Sequence, residues 1–392
     1  MERTAFSAAK EIFTALMNEK SDHPSLHSGN TGILLLKYLF TRHFPEEQYP
    51  VNLQDEVQLL AEKSLSMSYF TFCNGKSGVN WFFSFLFKES VLEEEDNTYL
   101  MNDNCDLASL TLQMLSTDNY DYLHGAIGIA YQLLYTGFKY EAFYKKVIDK
   151  LLDLSYKSAN GEMVPYYDLM TSSLDSQKVN PSLSHGLSSI LKFLLECCKK
   201  NIAVESAKPL AERIVNYLVA HANEDKDQSY FPSLISFDNT TEYSYSRLAW
   251  CYGDLGIAYI LYQAGVLLKR TDIVDFALEV FLFNTKRRTL KQTMVYDAGI
   301  CHGAAGVAHI YNRMWMNTRN PIFKETTEYW IKETLAFACF EDGIAGFKKF
   351  NAITKTYERD SSLLEGIAGT GLVLLSYLTN DFSWDYCIML ND

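Results

Sequence analysis

The 392 residues are 48% hydrophobic and 14% aromatic, enough for a large buried core and too many for one simple compact domain. A net charge of −13, a pI near 5.2 and the lack of any dense basic run argue against nucleic acid as a partner; the nearest run, TKRRTLK at residues 285–291, reads as a solvated helix end or loop. No stretch of about 18 uncharged apolar residues occurs, so no membrane span is expected. The eight cysteines, in a chain whose first residues lack the apolar core of a signal peptide, are expected to be reduced thiols, mostly core filler.

In chain order, the first predicted element is an amphipathic helix in MERTAFSAAKEIFTALMNEK. A glycine motif then opens: SGNTGILLL (Gly29, Gly32), NGKSGVNWFF (Gly75, Gly78), HGAIGIAYQLL (Gly125, Gly128) and HGLSSILKFLL (Gly186, with Ser189 in the second place). It continues as YGDLGIAYIL (Gly253, Gly256), HGAAGVAHIY (Gly303, Gly306) and EGIAGTGLVLL (Gly366, Gly369). The first glycines lie 46, 50, 61, 67, 50 and 63 residues apart. One such motif carries no weight; seven, each followed by an apolar run, predict a repeat architecture. Each motif opens a helix apolar nearly all round, hence buried on every side. Amphipathic stretches between them, such as EAFYKKVIDKLLDLSYK and AKPLAERIVNYLVAHA, suit an outer layer with one wet face.

The unit is thus a helical hairpin used seven times, about 14 helices in all. An open solenoid would leave the inner helices poorly covered. Closure is preferred: an all-α fold, an α/α toroid with inner and outer barrels, forming one domain over residues 1–392. The glycines are expected to permit a tight turn into each inner helix and close approach to its neighbour. All seven motifs then lie at one end of the ring, around its central hole. Two insertions, residues 161–182 and 223–246, are turn-rich and aromatic; they are read as loops with short extended pieces covering the mouth.

Two of the motifs carry thiols just ahead of the glycine: RLAWCYG with Cys251, and CHG with Cys301 and His302. Three soft or borderline donors with one open position describe a catalytic zinc site, whereas structural sites close with four. Ligands fifty residues apart meet only if adjacent repeats bring their motifs together, which a ring does. A single buried cysteine is ordinarily packing, and Cys73, ahead of the second motif but without a paired ligand, is read as core.

The motifs R-x-x-W-C-Y-G and C-H-G-x-x-G, with seven glycine-motif hairpins, resemble those of the lanthionine synthetase C family of peptide cyclases, over essentially the whole chain. The resemblance implies the toroid fold and one zinc ion per chain held by Cys251, Cys301 and His302. It also places a family aspartate on Asp121, in DYLHG, and a family histidine on His185, in SHG; Arg247, Trp250 and Tyr252 match the pattern around the first zinc cysteine. Ser189 departs from that pattern, at a position that concerns helix entry more than chemistry.

The implied reaction adds a peptide cysteine thiol to dehydroalanine or dehydrobutyrine, giving a lanthionine or methyllanthionine ring in a lantibiotic-type precursor. His185 is the candidate acid for the carbon proton, with Asp121 orienting it or helping to deprotonate the thiol. Arg247 is a candidate for enolate stabilisation or peptide positioning. Tyr252 is a candidate hydrogen-bond donor, while Trp250 and His124 (placed like His185 in its own repeat) are candidate substrate contacts. On the residues alone, Asp121 could equally cap a helix, His185 could be a satisfied core histidine, and Arg247 could simply pair with an acidic neighbour. No nucleotide loop for a dehydratase is apparent. A separate dehydratase and a peptide exporter are therefore the implied partners, with a cytoplasmic location, at most peripheral to the membrane. The alternatives are addition of glutathione to dehydroamino acids in proteins, and a non-catalytic peptide-binding module with a structural zinc.

Overall fold

The computed structural model describes residues 3–19, 21–47, 53–92, 94–157, 163–164, 178–236 and 244–392. Fifteen helices follow one another among them. They are α1 (Ala5–Asn18), α2 (Asn30–His43), α3 (Leu53–Leu65), α4 (Lys76–Lys88), α5 (Glu94–Ser116), α6 (Ala126–Thr136), α7 (Glu141–Leu154), α8 (Leu187–Lys199), α9 (Val204–Ala220), α10 (Asp254–Leu268), α11 (Thr271–Asn284), the short α12 (Leu290–Thr293), α13 (Ala304–Thr318), α14 (Pro321–Ala336) and α15 (Ile367–Thr379). Seven of them, α2, α4, α6, α8, α10, α13 and α15, form the inner barrel. Each packs on the next in that order, and α15 packs back on α2, so the ring closes. The outer helices are α1, α3, α5, α7, α9, α11 and α14. Each inner helix is buried along nearly its whole length, as its all-round apolar composition requires.

Backbone hydrogen bonds stitch the motifs into a ring. The N–H of Leu364 donates to the His27 carbonyl, His27 to Cys73 and Cys73 to Leu123; further round, Leu183 donates to Cys251, Cys251 to Cys301 and Cys301 to Leu364. The junction between the third and fourth repeats is spanned by side chains, His185 to Asp121. Under this girdle lies a layer of wholly buried large side chains, among them Phe72, Tyr122, Leu183, Trp250, Ile300 and Leu363, each three residues before its glycine.

The first glycine of every motif is the N-cap residue of its inner helix. Six of the seven have extended backbone that any residue adopts, so the expected need for a special turn holds only at Gly253, φ +144°. Elsewhere the need is space. A Cβ on Gly125 would lie 2.2 Å from Asn119 Oδ1 and 2.6 Å from Asp121 N. At the second glycine, a Cβ on Gly128 would lie 1.9 Å from the Tyr122 carbonyl oxygen and 2.7 Å from Phe72 Cβ of the preceding repeat. In the fourth motif Ser189 takes this place, and its hydroxyl donates to the Gly186 carbonyl at 2.7 Å.

Short antiparallel pairs accompany the helices: β1 (Tyr156–Lys157) with β2 (Met163–Val164), β3 (Lys178–Val179) with β4 (Ile235–Ser236), and β5 (Lys349–Asn351) with β6 (Thr356–Glu358). The pairing of β3 with β4 joins the two predicted insertions. Residues 158–162, 165–177 and 237–243, on which their expected role as a cover rests, lie outside the described residues. The β5–β6 hairpin, between α14 and α15, was not anticipated.

The hole is also less open than a ring of helices suggests. The turn of 3-10 helix at Asp385–Ile388 and the residues after it fill the lumen. The Cys387 carbonyl accepts from His27 Nε2 and Tyr122 OH, the Ile388 carbonyl accepts from Trp250 Nε1 at 2.8 Å, and Tyr386 stacks on Tyr131 at 4.3 Å. Buried Lys192 donates to Glu196, Gln263 and the Asn391 carbonyl at 2.6–3.0 Å. The ring is thereby a cup, floored by this segment.

Candidate active site

Because the motif loops are equivalent, the residue just before each first glycine recurs at the same place around the ring. These are Ser28, Asn74, His124, His185, Tyr252, His302 and Glu365. They ring the mouth above the hydrogen-bonded girdle. The girdle itself contributes the thiols, two residues before the glycine, at Cys73, Cys251 and Cys301.

Cys251 and Cys301 stand on adjacent girdle positions joined by a 3.1 Å backbone hydrogen bond. Their sulfurs and a ring nitrogen of His302 lie within 4.8 Å of one another, and theirs is the one such group of three potential ligands among the described residues. With zinc bonds of about 2.0–2.3 Å, a tetrahedral edge spans roughly 3.3–3.8 Å, so the donor set fits that ion with little movement. The electrostatics agree. The Cys251 thiol is held well below its ordinary value by the hydrogen bond from Cys301, against its burial, with His302 and the Arg247 charge adding to the effect. Cys301 is pushed up by its hydrogen bond with Cys251 and by burial, since the first thiolate opposes a second in the absence of a cation. Burial opposes protonation of His302, but the Cys251 sulfur and Asp297 outweigh it and raise its value.

Next round the mouth, in the third repeat, Asp121 is nearly inaccessible and uses both oxygens. Oδ1 accepts the His124 backbone N–H at 2.6 Å, and Oδ2 accepts from His185 Nδ1 at 2.7 Å. Asp121 is not the helix cap, which is Gly125. His185 is therefore a partly exposed imidazole with one nitrogen fixed by a buried carboxylate, not a core histidine. His124 lies parallel to it, ring centroids 5.9 Å apart. Burial pushes His124 below its ordinary value, Asp121 opposes this and His185 adds to it. Tyr252 sits 5.8 Å from His185 on the other side, and its hydroxyl accepts from Asn180 Nδ2.

Arg247 is half-buried, and its charge acts on Cys251, Cys301 and His302. Among the described residues no carboxylate forms an ion pair with it. Trp250 is wholly buried with its N–H bonded to the lumen segment, so it is tied to the floor and not exposed at the opening. Cys73 is buried, and burial pushes its thiol up to about 12. No disulfide is present among the described residues, and two of the eight cysteines, Cys105 and Cys339, are exposed rather than core.

Three further groups border the metal cluster. Asp297 Oδ2 lies 3.8 Å from His302 Nε2. Glu365 follows His302 around the rim and pairs with Lys349, which also pairs with Asp360. The only advance signal for Asp297 is its place six residues before Gly303, where Asn180 and Asp360 stand in other repeats. There the side chain takes the N–H two residues on: Asn180 from Ser182, Asp297 from Gly299, Asp360 from Ser362.

Comparison with known proteins decides the family. The family model for lanthionine synthetase C-like proteins matches residues 20–389. The chain belongs to the lanthionine synthetase C-like family. It is 25% identical over 308 residues to the nisin biosynthesis protein NisC of Lactococcus lactis subsp. lactis, an alignment covering 73% of this chain and 68% of that protein. It is 24% identical over 263 residues to the glutathione S-transferase LANCL1 of Danio rerio, covering 64% of this chain and 57% of that protein. Among solved structures, nisin cyclase superposes with a TM-score of 0.76 over 97% of this chain and 96% of its own, at 18% identity, which establishes the shared toroid fold. No helix among the described residues is long and apolar enough to cross a membrane.

Proposed function

We propose that this lanthionine synthetase C-like chain is a zinc-dependent cyclase that adds peptide cysteine thiols to dehydroalanine or dehydrobutyrine, forming thioether rings. The observation carrying this reading is the convergence of Cys251, Cys301 and His302 beside a neighbouring repeat that presents an aspartate-anchored histidine. Zinc held by these three ligands, with its fourth position open, would supply the positive centre that keeps an incoming thiol deprotonated at neutral pH.

The remaining chemistry falls to the chain. As sulfur bonds to the β-carbon, the double bond's electrons move toward the carbonyl, and an enolate develops. Arg247, free of a carboxylate partner among the described residues, is placed to stabilise that charge. Asp121 fixes the Nδ1 proton of His185, leaving Nε2 to deliver a proton to the α-carbon. The proton lost by the thiol balances the proton gained at carbon. Asn180 holds the Tyr252 hydroxyl beside His185, where Tyr252 can donate to substrate, and His124 lines the same wall.

Glutathione as the thiol donor is the second reading, motivated by the name of the Danio rerio relative. One observation favours a peptide: the rim cation Lys349 is already shared by Asp360 and Glu365, so it is not free to meet a carboxylate of glutathione. Under the peptide reading, a separate dehydratase supplies the substrate and an exporter receives the product on the cytoplasmic side. The test incubates the purified chain with zinc and a dehydrated Cys-containing peptide, or with that peptide's Cys-free form plus glutathione. Thiol alkylation and mass spectrometry follow. Loss of free peptide thiol, abolished in Cys301→Ala, is expected. Thiol persisting at the level of the enzyme-free control refutes cyclisation, and a glutathione adduct alone establishes the second reading.

A further inference from the structure

The geometry points to Asp297 as a positioning residue that fixes which nitrogen of His302 meets the metal, directing Nδ1 to the Cys251–Cys301 pair and holding Nε2–H. This rests on the metal reading above. Asp297 is 2% exposed, and its two oxygens have three claimants. Oδ1 accepts the Gly299 N–H at 2.9 Å, closing the turn that leads into Cys301. Oδ2 accepts the Phe350 N–H at 2.8 Å, from strand β5 of the rim hairpin. The same Oδ2 is 3.8 Å from His302 Nε2, a gap that a small rotation of the ring closes to hydrogen-bond length. Since Nε2 faces the carboxylate, Nδ1 is the nitrogen left for the sulfurs.

The carboxylate itself cannot swing away, because two backbone donors pin it. That makes it a rigid template for the imidazole, the arrangement by which outer carboxylates orient histidine ligands and raise their basicity. The mouth uses the device twice: His185 is fixed by Asp121 through Nδ1, and His302 faces Asp297 through Nε2, so the two rings present opposite nitrogens to the cup. The Phe350 bond adds a consequence. The rim hairpin and the metal ligand share one oxygen, so hairpin position and imidazole orientation are mechanically tied.

Zinc affinity, measured by competition with a chromogenic chelator, tests this in the wild type, Asp297→Ala and Asp297→Asn. Asn keeps an acceptor for Gly299 but puts an amino group where Oδ2 was, so a role confined to the turn predicts rescue. The expected result is a loss of about 10- to 100-fold in both variants. Wild-type affinity in Asp297→Asn overturns the inference and leaves the metal site standing, whereas a wild type that binds no zinc overturns both. Nitrogen-15 histidine spectra of the zinc-loaded wild type, assigned by the signal lost in His302→Asn, add an arm independent of variant folding. Metal on Nδ1 with a protonated Nε2 is expected, and metal on Nε2 refutes the assignment.

Discussion

His27 offers a sharp test of how the girdle is held. It joins the first repeat to the seventh and second through its backbone, and its Nε2 donates to the Cys387 carbonyl of the lumen segment at 2.8 Å. The ring is wholly buried, and its Nδ1 has no partner. Burial lowers its value from 6.5 to about 4; the bond to Cys387 opposes this, and His124 adds to it. A histidine kept neutral when folded but free to take a proton when unfolded withdraws stability as pH falls through 6.5 toward 4, and has little effect above about pH 7.5. Linkage at about 1.36 kcal/mol per unit puts the full effect near 3 kcal/mol, of which roughly 1 kcal/mol is lost between about pH 7.5 and about pH 5.8. The upper part of the window suffices, which keeps the protein away from its pI near 5.2. The perturbation is His27→Gln, which keeps an N–H donor and removes the titration. The assay is urea unfolding with a metal chelator present, so that the zinc ligands' own titration is common to both proteins. The variant should lose about 1 kcal/mol less than the wild type over that interval. Equal losses in both would refute the idea that His27 is held neutral by the packed lumen.

Gly128→Ala should destabilise by about 2–3 kcal/mol or prevent folding, because the new Cβ meets the Tyr122 carbonyl oxygen; Gly137→Ala, at φ +83° with nothing within 4 Å, should cost only about 1 kcal/mol, both read by thermal melts. Lys192→Met takes the donor from Gln263 Oε1 and removes one of several donors from Glu196 and the Asn391 carbonyl, and should cost about 3 kcal/mol in urea, with Lys192→Met/Glu196→Leu recovering part of it. Asp121→Asn should lower the cyclisation rate about 10²- to 10⁴-fold while leaving zinc stoichiometry unchanged, checked by mass spectrometry beside metal analysis.

Much of the site was legible because it is local and repeated. Cys251, Cys301 and His302 stand at fixed offsets from glycines that cap inner helices, so once the seven motifs are aligned their convergence follows from ring closure. Asp121 and His185 were visible for the same reason, though on the residues alone a cap or a core histidine stood equal with catalysis. Only the 2.7 Å bond across the third junction separates those readings. Asp297 was not legible, since an aspartate six residues before a glycine looks like a turn residue, and its Oδ1 does make that turn.

Periodicity in the chain determined the helical hairpins, their sevenfold use and which helices lie inside, because burial on all sides leaves a compositional trace in every repeat. What fills the lumen was decided only in three dimensions. The segment from Cys387 to Asn391 takes hydrogen bonds from four different repeats, through His27, Tyr122, Lys192 and Trp250, the first of them 360 positions away, and nothing in its short, mixed sequence encodes a partner so distant. The same holds for the β5–β6 hairpin's bond to Asp297: a backbone N–H carries no residue-specific signal, so its acceptor is set by where folding brings the strand.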